Sequence, residues 1–169
     1  MVEPARDGPD RVSPRRRRDR RPEPLTVGAG AGRGVLDTST VILFERVADP
    51  SHLPDEPLIT AVTLAELSVG PLVARDPGEQ AIRQARLQQA EADFDPLPFD
   101  AAAARAFGRV AASLHRSGRK PQARAYDTMI AATAIANELP LFTCNPADFA
   151  HIDELDLRAV PHPDSPPGR

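Results

Sequence analysis

The chain has 169 residues, of which 41% are hydrophobic and 4% are aromatic, and it contains no tryptophan. This length suits one globular domain with flanking tails, whose core must be built mainly from aliphatic side chains. The single cysteine, Cys144, excludes an internal disulfide, and the lack of an apolar run of roughly 18–20 residues excludes a transmembrane helix. Since no apolar signal-peptide segment follows the basic N-terminus either, we expect a cytoplasmic protein.

The formal net charge of −3 conceals an uneven distribution along the chain. Residues 1–34 hold nine Arg and five Asp or Glu, a net of +4, whereas the remaining residues hold 12 basic and 19 acidic side chains, a net of −7. An acidic body repels nucleic-acid phosphates unless its carboxylates hold divalent cations, which bring their own positive charge.

Residues 1–34 are predicted to form a disordered, basic extension. They contain five prolines, the run Arg15–Arg18 and a Gly/Ala stretch, and they show neither helical nor strand periodicity. The extension is interpreted as an arm that contacts RNA, as a solvated tail, or as sequence upstream of a mis-assigned start. Its alternating glycines do not form a dinucleotide-binding motif, because they lack the G-x-G-x-x-G spacing and precede a strand.

From Val35 onwards, short apolar runs alternate with helical stretches. Strands are predicted over 35–37, 58–60, 97–99, 141–143 and 157–160, and helices over 38–47, 62–72, 78–94, 101–117 and 123–138. This alternation predicts an α/β fold with a short parallel sheet of about four to five strands and helices on both faces. The domain is expected to span residues 35–160, and the Pro-rich residues 161–169 to form a disordered tail.

Three acidic residues follow strands or begin helices of this predicted sheet. Asp37 ends the first strand, Glu66 lies close to the start of the second helix, and Asp127 lies near the start of the fifth. In open α/β sheets these positions meet at the carboxyl edge of the strands, where ligands bind. Three carboxylates at one edge repel one another unless a cation lies among them, and Mg²⁺ binds through such oxygen ligands.

Each of these acids also has a purely structural interpretation. Asp37 suits the N-cap of the helix that follows it, and Thr63 with Glu66 matches the S/T-x-x-E capping box. Asp127 suits the positive end of a helix dipole. The residues taken singly leave both interpretations open, and the shared edge of the sheet favours a metal site.

Four segments resemble the motifs of PIN domains, in the same order and at similar spacing. They are VLDTSTVI (35–42), TAVTLAELSVG (60–70), YDTMIAATA (126–134) and LFTCNPADF (141–149). The third segment is closely similar to those of bacterial VapC toxins. The resemblance covers residues 35–160 and implies a small Rossmann-like sheet, an endoribonuclease that depends on Mg²⁺ or Mn²⁺, and a homodimer inhibited by a cognate VapB-type antitoxin.

The resemblance also implies roles for individual residues. Asp37, Glu66 and Asp127 are expected to be the catalytic metal ligands. Related proteins carry an acid or Asn after the Thr-x pair of the fourth motif, which is Asn145 here, while Asp148 is the carboxylate available three residues later. We expect Asn145 or Asp148 to complete the site by orienting water or holding a second ion.

Further residues are expected to support the site or the substrate. Hydroxyl groups near the carboxylates are predicted at Thr38, Ser39 and Thr143, with helix capping or strand termination as the alternative. A basic segment ahead of Asp127 is predicted to hold the RNA backbone or, alternatively, to cap the preceding helix, through Arg116, Arg119, Lys120 and Arg124.

The predicted reaction is hydrolysis of an RNA phosphodiester by water that the metal activates, and the resemblance implies 5′-phosphate and 3′-hydroxyl products. A first rival is a catalytically weak PIN-fold module that binds antitoxin or RNA, which gains support if Asn145 replaces an essential acid. A second rival is a haloacid-dehalogenase-like phosphatase, which requires a second Asp at the position that Ser39 occupies.

Overall fold

A four-stranded, all-parallel sheet lies at the centre of the computed structural model, which describes residues 32–116 and 125–164. Its strands are β1 (Arg33–Leu36), β2 (Glu56–Leu58), β3 (Leu141–Thr143) and β4 (Leu157–Ala159), in the order β2-β1-β3-β4. The chain passes from β1 to β2 on one side and later returns to β3 on the other side of β1. The switch point of the sheet therefore lies between β1 and β3, where α/β folds bind their ligands.

Five helices connect and follow these strands. They are α1 (Thr38–Leu43), α2 (Ala61–Leu72), α3 (Pro77–Asp93), α4 (Ala101–Arg116) and α5 (Ala125–Ala136). Short 3-10 turns occupy Phe44–Arg46, Pro50–His52 and Pro146–Asp148. In the part of the chain that is described, no helix has the length and apolar character needed to cross a membrane.

Both faces of the sheet are covered, as the strand alternation requires. Val35 and Leu141 belong to a buried cluster that includes residues of α4 and α5, namely Val110, Leu114, Ile130, Ala131 and Ala134. The next residues along the two strands, Leu36 and Phe142, belong to a different cluster, against which Val41 and Phe44 pack. The predicted α/β class, with a short parallel sheet between helical layers, is confirmed.

The predicted strand over residues 97–99 is wrong. Leu97 makes a single parallel bridge beside Thr60, through hydrogen bonds from its N–H to the carbonyl of Ile59 (2.9 Å) and from the N–H of Ala61 to its own carbonyl (2.8 Å). Pro96 and Pro98 flank it and have no N–H to donate, so the ladder cannot extend in either direction.

Other boundaries also differ from the prediction. β1 begins at Arg33, so Arg33 and Gly34 belong to the sheet and not to the N-terminal extension. β2 lies two residues earlier than predicted, and its Pro57 is tolerated because β2 is at the edge of the four-stranded sheet. Asp164, which belongs to the predicted C-terminal tail, forms an ion pair with Arg46. The rest of the predicted extension (1–31), residues 117–124 and residues 165–169 lie outside the description.

Gly34 provides a test of the packing between β1 and β3. A Cβ atom at this position would lie 2.8 Å from Cδ2 of Phe142, and it would also collide with Cε2 of the same ring and touch Pro54. Overpacking of this kind destabilises a core by about 1–3 kcal/mol. We expect Gly34→Ala to lower the melting temperature in a thermal unfolding experiment.

The control for this prediction is Gly32→Ala, because a Cβ atom at Gly32 would have no neighbour within 4 Å. Equal melting temperatures for Gly34→Ala and Gly32→Ala would contradict the packing described for β1.

Candidate active site

Asp37 lies at the switch point of the sheet. Leu36 pairs with Phe142 in the parallel register of β1 and β3, so the next residues, Asp37 and Thr143, come to the same carboxyl edge. The N–H of Asp37 donates to the carbonyl of Phe142 at 3.1 Å, which continues the ladder beyond the end of β1. The Asp37 side chain is 5% exposed, so its carboxylate is held within the protein and not in bulk solvent.

Three donors orient the Asp37 carboxylate. The backbone N–H of Thr40 donates to Oδ1 at 2.9 Å, which makes Asp37 the N-cap of α1. The hydroxyls of Ser39 and Thr143 donate to Oδ2 at 2.8 and 3.0 Å. Asp37 therefore does cap α1. Its second oxygen also accepts hydrogen bonds from hydroxyls of α1 and β3, and helix capping does not require these two bonds. The carboxylate is preorganised at the edge of the sheet.

Glu66 does not have the capping-box role that its spacing from Thr63 suggests. Thr60 is the N-cap of α2, because its hydroxyl accepts the N–H of Thr63 at 3.0 Å, and this places Glu66 in the second turn of the helix. The Glu66 carboxylate instead accepts a hydrogen bond from the hydroxyl of Thr38, the residue after Asp37. α2 thereby brings a second carboxylate to the end of β1.

The electrostatics of this pair favour a bound cation. Burial raises the pKa of Glu66, and the charge of Asp37 raises it further, while the Thr38 hydrogen bond opposes both. Within residues 32–116 and 125–164, neither Asp37 nor Glu66 forms an ion pair with a basic side chain. Two neighbouring carboxylates without a counter-charge from the chain are stabilised by a divalent ion.

The other predicted ligands lie at the start of α5 and in the segment that follows β3. Asp127 is half-buried in the first turn of α5, and Asp148 ends the 3-10 turn after β3. Asn145 has an exposed side chain, and its backbone N–H donates to the Thr143 hydroxyl at 2.9 Å. Among the residues described, no three His, Cys, Asp or Glu side chains are grouped closely enough to hold a metal ion. The roles of Asp127, Asn145 and Asp148 as ligands stay predictions.

The donor chemistry of the Asp37–Glu66 pair fits Mg²⁺. This ion prefers oxygen ligands, and proteins commonly hold it through one or two carboxylates while several water molecules complete its shell. Three predicted hydroxyl residues contact the pair: Thr38 contacts Glu66, and Ser39 and Thr143 contact Asp37.

Thr40 also supports this site, and sequence reasoning missed it. Its side chain is fully buried, and its hydroxyl donates to the carbonyl of Phe142 at 3.2 Å and accepts the N–H of Cys144 at 3.0 Å. Thr40 thus binds the backbone on both sides of Thr143, which in turn donates to Asp37. The local sequence carries no signal for this role, because the partners of Thr40 lie 102 and 104 residues away along the chain.

Of the predicted RNA-binding residues, Arg116 is the last residue of α4 and is exposed. Arg119, Lys120 and Arg124 lie outside the described residues.

The fold and the carboxylate pair define an α/β protein with an acidic site at the switch point of a parallel sheet, and comparisons with known proteins identify the family. The family model of the PIN domain matches residues 35–155. The chain is 43% identical over 122 residues to ribonuclease VapC5 of Mycobacterium tuberculosis, an alignment that covers 71% of this chain and 87% of that protein.

Solved structures agree with this assignment. The crystal structure of VapBC-5, a toxin-antitoxin system of Mycobacterium tuberculosis, matches with a TM-score of 0.65 and 39% identity over 76% of this chain and 98% of that chain. DNA-bound VapBC from Salmonella typhimurium matches with a TM-score of 0.62 and 26% identity over 76% and 98% of the respective chains. The chain belongs to the PIN-domain family, and within it to the VapC-type ribonucleases, as the four sequence motifs predict.

The contribution of Thr40 is tested by Thr40→Val, which removes the hydroxyl while nearly keeping the shape. The N–H of Cys144 then loses its buried acceptor, and leaving such a group unsatisfied destabilises a protein by about 1–3 kcal/mol. We expect a loss in this range in the free energy of unfolding measured with urea. Thr40→Ser, which keeps the hydroxyl, is the control, and a smaller loss in Thr40→Val than in Thr40→Ser contradicts the role of the hydroxyl.

The raised pKa of Glu66 predicts a pH dependence of stability in the absence of divalent ions. Because the folded pKa lies above the ordinary value of 4.5, folding is favoured by protonated Glu66. This contribution is present below the ordinary value and is lost as the pH rises through the folded pKa. We therefore expect Glu66→Gln to raise the melting temperature at neutral pH and to leave it unchanged in acid.

The control is Glu91→Gln, which changes an exposed carboxylate of α3. Added Mg²⁺ is expected to stabilise the wild-type protein more than Glu66→Gln, because an ion that binds only the folded state raises its stability. A melting temperature of Glu66→Gln below that of the wild type at neutral pH without metal would contradict an unfavourable charge on Glu66 in the folded protein.

Proposed function

We propose that this chain is the toxin of a VapBC-type module and hydrolyses RNA phosphodiester bonds with Mg²⁺ held by Asp37, Glu66 and Asp127. The observation that carries the proposal is the pair of neighbouring carboxylates, Asp37 and Glu66, without a basic partner in the described chain at the switch point of a PIN-domain sheet. Membership of the VapC-type ribonucleases supports the activity and its metal dependence. Mn²⁺ is the alternative ion, since it takes the same oxygen ligands.

Each acidic residue of the proposed site has its own position and supporting contacts. Asp37, held by Ser39, Thr40 and Thr143, offers a carboxylate that does not have to reorient when an ion binds. Glu66 offers the second carboxylate, held by Thr38. Asp127 is proposed as the third ligand from the first turn of α5.

The substrate side of the site is proposed on chemical grounds. When bound, the ion makes water more acidic and offsets the negative charge that develops on the phosphate. Asn145 or Asp148 orients water near the scissile bond, and the basic residues around Arg116 hold the RNA backbone. Cleavage leaves a 5′-phosphate and a 3′-hydroxyl, and the reaction takes place in the cytoplasm, where RNA substrates are found.

A cognate VapB-type antitoxin is the proposed partner, since related solved structures are VapBC toxin-antitoxin systems. A groove of about 330 Å³ between α1 and α3 supports this partner, because Ile42 and Ile82 on its walls are 39% and 62% exposed. A homodimer is also proposed. It is supported by exposed apolar side chains at the end of α2, namely Val69, Leu72 and Val73.

The rival functions have less support. A module that binds RNA or antitoxin without cleavage does not need two carboxylates that influence each other electrostatically at the switch point. The phosphatase alternative requires an Asp where Ser39 stands, and the Ser39 hydroxyl is used here to orient Asp37.

Asp37→Asn tests the proposed activity directly. Loss of a residue that only supports a metal ligand reduces activity by roughly 10–100-fold, so loss of the ligand itself should reduce RNA cleavage by more than about 100-fold. The measurement is cleavage of total cellular RNA by the purified, antitoxin-free protein in Mg²⁺. We expect EDTA to abolish the wild-type activity and added Mg²⁺ to restore it.

Asp55→Asn is the matched control, because Asp55 is an exposed carboxylate that precedes β2, at the amino end of a strand. It is expected to cleave like the wild type. Cleavage by Asp37→Asn at the wild-type rate, or wild-type cleavage that persists in EDTA, would overturn the proposed metal site. A wild-type protein that binds RNA and cleaves none of it would favour the binding module.

A further inference from the structure

One side of α4 carries a line of positive charge. The helix contains Arg105, Arg109 and Arg116 and no acidic residue, although residues 35–169 have a net charge of −7. The three arginines are four and seven residues apart, which places them within about 40° of one another around the helix axis. They lie opposite the apolar face of α4, which is buried at Ala103, Ala106, Val110 and Leu114.

This line of arginines borders a cleft. A cavity of about 580 Å³ separates α4 from the connection between β3 and β4. The wall formed by that connection consists of His151, Ile152, Asp153 and Glu154. On the helix wall, Gly108 and Ala112 lie between the arginines, so a ligand can approach the helix closely there.

The arginines are available to a ligand. Arg109 is bound to Glu154 at 3.2 Å, but both side chains are about half exposed, at 55% and 46%. Exposed pairs of this kind contribute only about 0–1 kcal/mol, so a phosphate competes with Glu154 easily. Arg105 and Arg116 form no ion pair with any other residue of the described ranges.

The cleft extends along α4 away from the end of the helix that is joined to α5. α4 and α5 share one buried cluster and are joined by the eight residues 117–124, a short connection typical of antiparallel neighbours. The Arg116 end of α4 is the end that the chain joins to the first turn of α5, which carries Asp127. From Arg116 to Arg105 the helix extends about 16 Å farther from that end.

We propose that the α4 cleft is a second RNA-binding surface, which holds the backbone of the substrate outside the segment that is cleaved. The inference rests on the proposed function for the identity of the polyanion. Arg binds phosphate through a planar fork of donors, and a row of three such groups fits a chain of phosphates better than a single small anion. Since the opposite wall of the cleft carries Asp153 and Glu154, the phosphates are expected to lie along the helix wall, where the arginines are.

The test compares the binding of a long and a short single-stranded RNA. Arg105→Gln/Arg109→Gln removes two cleft charges, and neither residue belongs to the carboxylate site or to the basic segment ahead of Asp127. Affinities are measured by fluorescence anisotropy in EDTA, so that RNA is not cleaved, over a series of salt concentrations. For the long RNA we expect weaker binding and a slope of log affinity against log salt smaller by about 1.4, since each single-strand phosphate contact contributes about 0.7. For the short RNA we expect no change.

The matched control is Arg33→Gln/Arg158→Gln, which removes the same charge and also breaks two exposed ion pairs, those with Glu56 and Asp156. An equal effect of both double variants, or no effect of the cleft variant on long RNA, overturns the inference. Cleft variants that lose antitoxin affinity and keep RNA affinity overturn it as well and assign the surface to a protein. Cleavage of RNA in Mg²⁺ is measured separately. Absence of cleavage by the wild type contradicts the proposed function, whereas the binding data still show whether the cleft binds RNA.

Discussion

The hydrogen bond from the Thr143 hydroxyl to the Asp37 carboxylate is the contact on which the site depends. It joins the ends of β1 and β3 at the switch point, and both residues are buried. Thr40 supports it from the other side by binding the backbone around Thr143. A carboxylate fixed by donors from α1 and from β3 cannot turn away from the edge of the sheet, so the position of a bound ion is determined by the fold itself.

The same edge shows how function opposes stability in this domain. The core is aliphatic and alanine-rich, and Ala131 and Ala134 of α5 share one buried cluster with Val110 and Leu114 of α4. Against this well-packed background, Glu66 is held in a half-buried position beside Asp37, where its charge is unfavourable without a cation. Such local conflicts are expected at sites that bind ions and not in regions that serve the fold alone.

Much of the fold followed from the sequence, because strand and helix periodicities are local. The position of Asp37 also followed, since an acid directly after an apolar strand lies at the carboxyl edge. The capping-box alternative for Glu66 is wrong, because Thr60 and not Thr63 is the N-cap of α2, and its hydroxyl accepts the N–H of Thr63. The role of Thr40 depends on Cys144, which is 104 residues away, and no local pattern reports such a contact.

The separation of the site along the chain has a consequence for the synthesis of the protein. Asp37 and its partner Thr143 are 106 residues apart, and β3 must insert beside β1 after most of the domain has been made. Contacts between distant residues form late, because a long loop has to close first. A nascent chain that ends before β3 carries the Asp37 and Glu66 residues without the strand that orients Asp37. The orientation of the Asp37 carboxylate is therefore completed only after β3 has been made and has paired with β1.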